Sequence, residues 1–292
     1  MTPPRIASLV PSLTELVVAM GLADWLVART GFCIHPAAAL RVVPKVGGTK
    51  DVNLAKLRRL APTHVLVNVD ENRLDTVNAI RAWGDAANAA GASPAGASPA
   101  DASPAGAPQI IVTHPGGPED NLALIELLRA HFGHLAGVAQ HAAALSLAMQ
   151  HELDLTRPDA WLEQRVLYLI WRDPWMTVAR DTYISRMLAR VHWSTLPDQA
   201  GGAAGAARYP VLSGAEPWLG QVQHVLLSSE PYAFGARHLE EAARLCPNAR
   251  VQLVDGELLS WYGARAVPGL RYLRYLRDLA DAATASKGHA GG

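Results

Sequence analysis

The chain holds few groups of the kinds that make and break covalent bonds. Cys33 and His35 stand one residue apart in the turn-rich stretch Phe32-Cys33-Ile34-His35-Pro36, and with Glu257 they come nearest to a reacting set. His131 and His134 are three residues apart in a helical stretch that continues to His141, so they would share a face. No carboxylate or cysteine at nearby spacing completes a metal-binding set there, and a solvated helix face is the expectation. There is no Gly-x-Ser-x-Gly elbow and no Gly-x-Gly-x-x-Gly after a strand. Gly47-Gly48-Thr49-Lys50 lacks the spacer and the Lys-Ser/Thr end of a phosphate loop and reads as a tight turn. The other cysteine, Cys246, is far from Cys33, and both read as reduced, buried thiols. Catalytic residues, a resident metal and a catalytic cofactor are not expected.

The aromatic residues point elsewhere. Eight tryptophans occur beside three phenylalanines, and several fall just beyond strand-like runs. Trp171-Arg172-Asp173-Pro174-Trp175, Pro231-Tyr232-Ala233-Phe234 and Ser260-Trp261-Tyr262-Gly263 are three such loops. Open α/β sheets bind ligands outside the carboxyl ends of their strands, and large rings there suit a broad, partly apolar ligand. Two acidic residues occupy matching loops, Glu71 after His64-Val65-Leu66-Val67-Asn68 and Glu230 after His224-Val225-Leu226-Leu227-Ser228. They read either as solvated charge or as paired docking points for arginines of a two-fold partner.

The elements that would position these loops alternate. Strand-like runs 5–10, 25–29, 42–46, 64–68 and 109–113 are interleaved with helical runs 12–21 and 53–61, the first opened by a Ser12-x-x-Glu15 capping box. Runs 165–171, 222–228 and 251–255 repeat the pattern with helices 182–192, 237–245 and 268–283. Continuous apolar strands between helices mean βαβ units with a parallel sheet. Between them lies a helical stretch over 118–155, with Pro118 in its first turn; as one rod it would be about 50 Å long. The expected organisation is an N-terminal α/β lobe over 1–117, a backbone helix over 118–155 and a C-terminal α/β lobe over 156–292. The Gly-Ala-Ser-Pro-Ala repeats within 84–108 and the shorter tract 200–207 read as disordered surface insertions.

The 292 residues can bury a core in one large domain or two moderate ones. Twenty-six basic residues balance 26 acidic ones, which argues against nucleic acid as the partner. No apolar run reaches the length of a membrane span, and residues 5–10 read as a first strand, not a secretory signal. The protein as written is expected in the cytoplasm.

Arg5-Ile6-Ala7-Ser8-Leu9-Val10-Pro11-Ser12-Leu13-Thr14-Glu15-Leu16 resembles the opening of class III substrate-binding proteins, which serve ABC importers of vitamin B12 and iron chelates. Pro44-Lys45-Val46-Gly47-Gly48, Asn53-Leu54 and Ala61-Pro62-Thr63-His64-Val65-Leu66-Val67 are similar to that family's next stretch, and the pattern is most similar to its cobalamin-binding branch. The resemblance implies two Rossmann-like lobes joined by a single long backbone helix, a ligand cleft between them and no turnover. It implies cobalamin or another corrinoid as ligand, with an iron siderophore or haem as alternatives. Onto this sequence it maps Phe32, Trp175, Trp261 and Tyr262 as ring contacts and Arg265 as a polar clamp. Glu71 and Glu230 fall near its permease-docking glutamates, and a periplasmic monomer serving an ABC permease is implied. The competing reading is an enzyme acting on a tetrapyrrole through Cys33, His35 and Glu257.

Overall fold

The computed structural model describes residues 3–89, 107–203 and 205–289. The chain divides into two compact units, one of Met1–His114 with Glu126–Ala143, the other of Pro115–Ile125 with Ala144–Gly292.

The first unit is built on four parallel strands, β1 (Ile6–Ser8), β2 (Leu26–Arg29), β3 (His64–Asn68) and β4 (Gln109–Thr113), in the order β2-β1-β3-β4. Register runs Ile6 to His64 and His64 to Gln109. Both central strands are apolar because helices cover both faces: Val65, Leu66 and Val67 are buried, as are Ile6 and Ala7. Helix α1 (Pro11–Ala19) buries Leu13, Leu16 and Val17. It does not use the expected capping box. Its N-cap is Val10, with Pro11 in the first turn, so Ser12 lies inside the helix. The Thr14 hydroxyl lies within hydrogen-bond reach of the Val10 carbonyl at 2.9 Å and Ser8 Oγ at 2.8 Å, and caps no backbone N–H. A four-residue helix, α2 (Ala37–Leu40), and α3 (Leu54–Arg59) follow, α3 capped by Asn53. The strand expected at 42–46 makes only one parallel bridge, Arg29 with Lys45.

Helix α4 (Leu74–Ala89) corrects the expected insertion, since residues 84–89 complete this helix. Their alanines are strong helix formers. The remaining repeats, 90–106, lie outside the described residues.

The stretch expected as one rod over 118–155 is two helices, α5 (Asp120–Phe132) and α6 (Val138–Leu155). Two glycines separate them. Gly137 has φ +81°, where a side chain is strained, and a Cβ at Gly133 would stand 2.5 Å from the Arg129 carbonyl oxygen.

The second unit repeats the topology of the first. Strands β5 (Gln164–Leu169), β6 (Trp193–Thr195), β7 (His224–Ser228) and β8 (Arg250–Val254) are parallel in the order β6-β5-β7-β8. Thus β3 and β7 hold equivalent places, as their similar sequences suggest. Helices α7 (Tyr183–Ala189), α8 (Leu239–Leu245), α9 (Gly256–Ser260) and α10 (Ala266–His289) complete the unit. Leu167, Leu169, Val225, Leu227 and Phe234 share one core cluster. The tract 200–207 is not loose where described: Asp181 accepts the backbone N–H of Gly201 at 2.7 Å and of Gly202 at 2.9 Å. Arg208 adds a bond to the Gly202 carbonyl.

Among the described residues no helix is long and apolar enough to cross a bilayer.

Candidate functional site

Each sheet gathers its sequence-derived candidates at its carboxyl edge. In the first unit, Phe32 follows β2 and is 64% exposed. Its ring lies over Gly48, where a Cβ would meet the ring at 3.3 Å. The loop beneath it is held from below by Arg29, a buried guanidinium that donates to the carbonyls of Cys33 at 2.8 Å and Leu40 at 3.2 Å. Gly47 has φ +100°, and a Cβ there would overlap the Asp51 carbonyl, so the Gly-Gly pair is the tight turn the sequence suggests.

Glu71, half-buried, sits in the loop after β3 beside Asn72, which organises that loop. The Asn72 amide donates to the carbonyls of Leu9 at 3.2 Å and Thr49 at 3.0 Å, while its oxygen accepts the Asn68 N–H at 2.9 Å. Lys50 donates to the Asp70 carbonyl at 2.6 Å, and His114 lies 3.4 Å from the Asp70 carboxylate. Asn72, Asp70 and His114 had no motif to reveal them. An Asn four residues beyond a buried Asn is the faint signal that could have found Asn72.

In the second unit, Trp175 packs half-buried on the core, stacked with Phe234 at 6.0 Å between ring centres. Arg172 covers it at 4.6 Å and is itself paired with Glu241 at 2.7 Å. Trp171 meets Tyr232 edge-on at 5.6 Å.

Trp261 and Tyr262 are buried, not open like Phe32. The Trp261 indole N–H donates to Glu230 Oε1 at 2.6 Å, and Ser260 donates to the same oxygen at 2.9 Å. Arg265 lies over the Trp261 ring at 4.7 Å and pairs with Glu257 at 2.6 Å. Tyr262 meets Tyr183 edge-on at 6.0 Å. Burial pushes the Glu230 carboxyl above its ordinary range, with the Glu257 and Asp255 charges adding to the effect against its two hydrogen bonds. Glu71 and Glu230 therefore follow equivalent strands in different settings, and the Glu230 carboxylate is engaged within its own unit.

Two groups of the enzyme reading have structural settings of their own. Cys33 is fully buried within reach of Thr30 at 3.1 Å, and burial raises its thiol, the opposite of an activated nucleophile. Glu257 is paired with Arg265. His131 packs against Phe132 and His64, while His141 bonds to the Gly137 carbonyl at 2.8 Å. Among the described residues no three His, Cys, Asp or Glu side chains gather as metal ligands.

No protein-family model matches the sequence, and no curated protein sequence matches it. Solved structures do match. The periplasmic vitamin B12 binding protein BtuF of Vibrio cholerae superposes with a TM-score of 0.74 at 19% identity, over 96% of this chain and 98% of that one. The fold is that of the periplasmic substrate-binding proteins. The periplasmic haem-binding protein HutB of Vibrio cholerae gives a TM-score of 0.70 at 19% identity, over 95% and 99% of the two chains. An ABC transporter substrate-binding protein from Listeria monocytogenes gives 0.64 at 16%, over 93% and 97%. At these identities the likeness is one of fold, and it matches the α/β architecture that the resemblance implies.

Proposed function

We propose that the chain is a non-catalytic binding protein for cobalamin or a related corrinoid, acting as the substrate-binding component of an ABC importer or a relative of one. The observation that carries this reading is the set of aromatic side chains at the carboxyl edges of the sheets: Phe32 open to solvent over Gly48, and Trp175 under Arg172. Broad apolar faces beside fixed cations suit a macrocycle with polar side arms. Trp261, Tyr262 and Arg265 complete the contact set of this reading. Glu71 is its docking carboxylate toward a permease, with Glu230 as a second one. In that role the protein works as a monomer in the periplasm.

A second reading takes haem as the ligand, favoured by the likeness to HutB, which approaches that to BtuF. Titration of the purified protein with cyanocobalamin and, separately, with haemin, followed by tryptophan fluorescence and heat, tests both. Saturable one-to-one binding of cyanocobalamin, micromolar or tighter, supports the corrinoid. Haemin binding without cyanocobalamin or cobinamide binding replaces the first reading with the second. Binding of neither removes both and leaves the fold untouched.

A further inference from the structure

Glu230 has a geometry that a docking carboxylate does not require. Its backbone is fixed first: Ser228 Oγ donates to the Glu230 carbonyl at 2.6 Å, and the Tyr168 hydroxyl donates to Ser228 Oγ at 2.9 Å. Gly256 leaves the space, because a Cβ there would stand 2.3 Å from Ser228 Oγ and 2.8 Å from Glu230 Cγ. The side chain is then aimed inward, and Oε1 takes two donors from successive residues, Ser260 and Trp261. Short hydrogen bonds partly shielded from water are strengthened by the low local dielectric. The ring so held is the one on which the Arg265 guanidinium rests at 4.7 Å.

We propose that Glu230 is a positioning residue: by accepting the Trp261 indole N–H it fixes the ring that seats Arg265, and so sets the geometry of the second unit's ligand loop. The inference rests on the proposed function for its consequence on binding, but the contact itself can be tested without any ligand. Acceptance of the N–H needs an oxygen, not a charge. Glu230→Gln retains that oxygen, Glu230→Ala removes it, and Trp261→Phe removes the donor while keeping a ring.

The experiment combines indole proton–nitrogen NMR with a double-mutant cycle. The Trp261 indole resonance, assigned as the one missing in Trp261→Phe, is expected at the downfield, slowly exchanging end of the set. It should stay there in Glu230→Gln and move upfield with faster exchange in Glu230→Ala. Affinity for cyanocobalamin, or for haemin if that is the ligand, should fall about tenfold in Glu230→Ala and in Trp261→Phe, the loss of one such bond. It should fall no further in the double variant and stay near the original in Glu230→Gln. An unchanged resonance in a folded Glu230→Ala overturns the proposal. So do additive losses in the cycle, or a folded Glu230→Gln that behaves like Glu230→Ala. If the unaltered chain binds neither tetrapyrrole, the proposed function falls, while the resonance and the same cycle measured on unfolding still decide the positioning role.

Discussion

The side chain of Asn121, at the start of α5, accepts the backbone N–H of Gly263 at 2.5 Å, joining two points 142 residues apart within the second unit. Its amide group meanwhile donates to the Pro118 carbonyl at 2.7 Å and to the Tyr183 hydroxyl at 3.0 Å. All of these partners are buried; losing the amide strips the Gly263 N–H and the Tyr183 hydroxyl of this partner, while the Pro118 carbonyl keeps the Asn121 backbone N–H at 3.2 Å. Asn121→Ala is expected to cost about 2–4 kcal/mol in urea unfolding. The loop carrying Trp261 and Tyr262 should also exchange its amide hydrogens faster; unaltered exchange there would show that Gly263 does not depend on Asn121.

Gly256 supplies a sharper probe because a single methyl group tests it. Gly256→Ala places that methyl into Ser228 and Glu230. Overpacking of this kind costs about 1–3 kcal/mol. The displaced Glu230 should shift the Trp261 indole resonance as Glu230→Ala does, with no charge removed.

Acid sensitivity should have an identifiable source in the second unit. His224 is buried beneath Trp193, and burial, reinforced by Arg277 and Arg250 against Asp281, lowers its pKa from 6.5 to about 4. The native state therefore holds this proton less tightly than the unfolded chain does. Its stabilising contribution is complete above pH 6.5 and is lost as pH falls through that value toward 4. The loss is on the order of 3 kcal/mol. In His224→Leu the unfolding free energy should fall less steeply across that window. Glu230, with its raised carboxyl, contributes in the opposite sense, its share lost as pH rises from the ordinary 4.5.

Phe32 and Trp175 separate binding from stability. Phe32 is mostly in solvent, so Phe32→Ala should weaken cyanocobalamin about tenfold or more while moving the unfolding free energy by under about 1 kcal/mol. Trp175 packs on the core and on Phe234, so Trp175→Ala should lower both affinity and stability, the latter by about 2–4 kcal/mol. A Phe32→Ala variant that binds as before removes Phe32 from the contact set.

The parallel sheets were legible because β3 and β7 are apolar runs buried on both faces, and their similar sequences foretold equivalent positions in two sheets of the same order. Short elements escaped notice. β6 is three residues at a sheet edge, and α9 is five residues opening on a glycine. The helical break at Gly133–Gly137 lies within a stretch whose apolar spacing continues on both sides, so periodicity alone reads through it. At the candidate site the ring types and their loops could be read, but their exposure could not. Phe32 follows a strand and Trp261 the short helix after one, yet a carboxylate 31 residues away draws Trp261 inward while Phe32 stays open. Asn72 and Asn121 act through backbone groups distant in sequence, which leaves no local pattern to find.

The assignment of residues 115–143 bears on synthesis. Pro115–Ile125 belongs with the second unit, although most of that unit has yet to be made when this segment is translated. Glu126–Ala143 then completes the first, bringing Phe132 edge-on against His64 at 4.9 Å. A nascent chain stopped at His114 therefore lacks part of its core, and Asn121 must wait for Tyr183 and Gly263 to emerge from the ribosome. Neither unit is one uninterrupted stretch of polypeptide, so no single cut yields two fragments that each carry a whole unit.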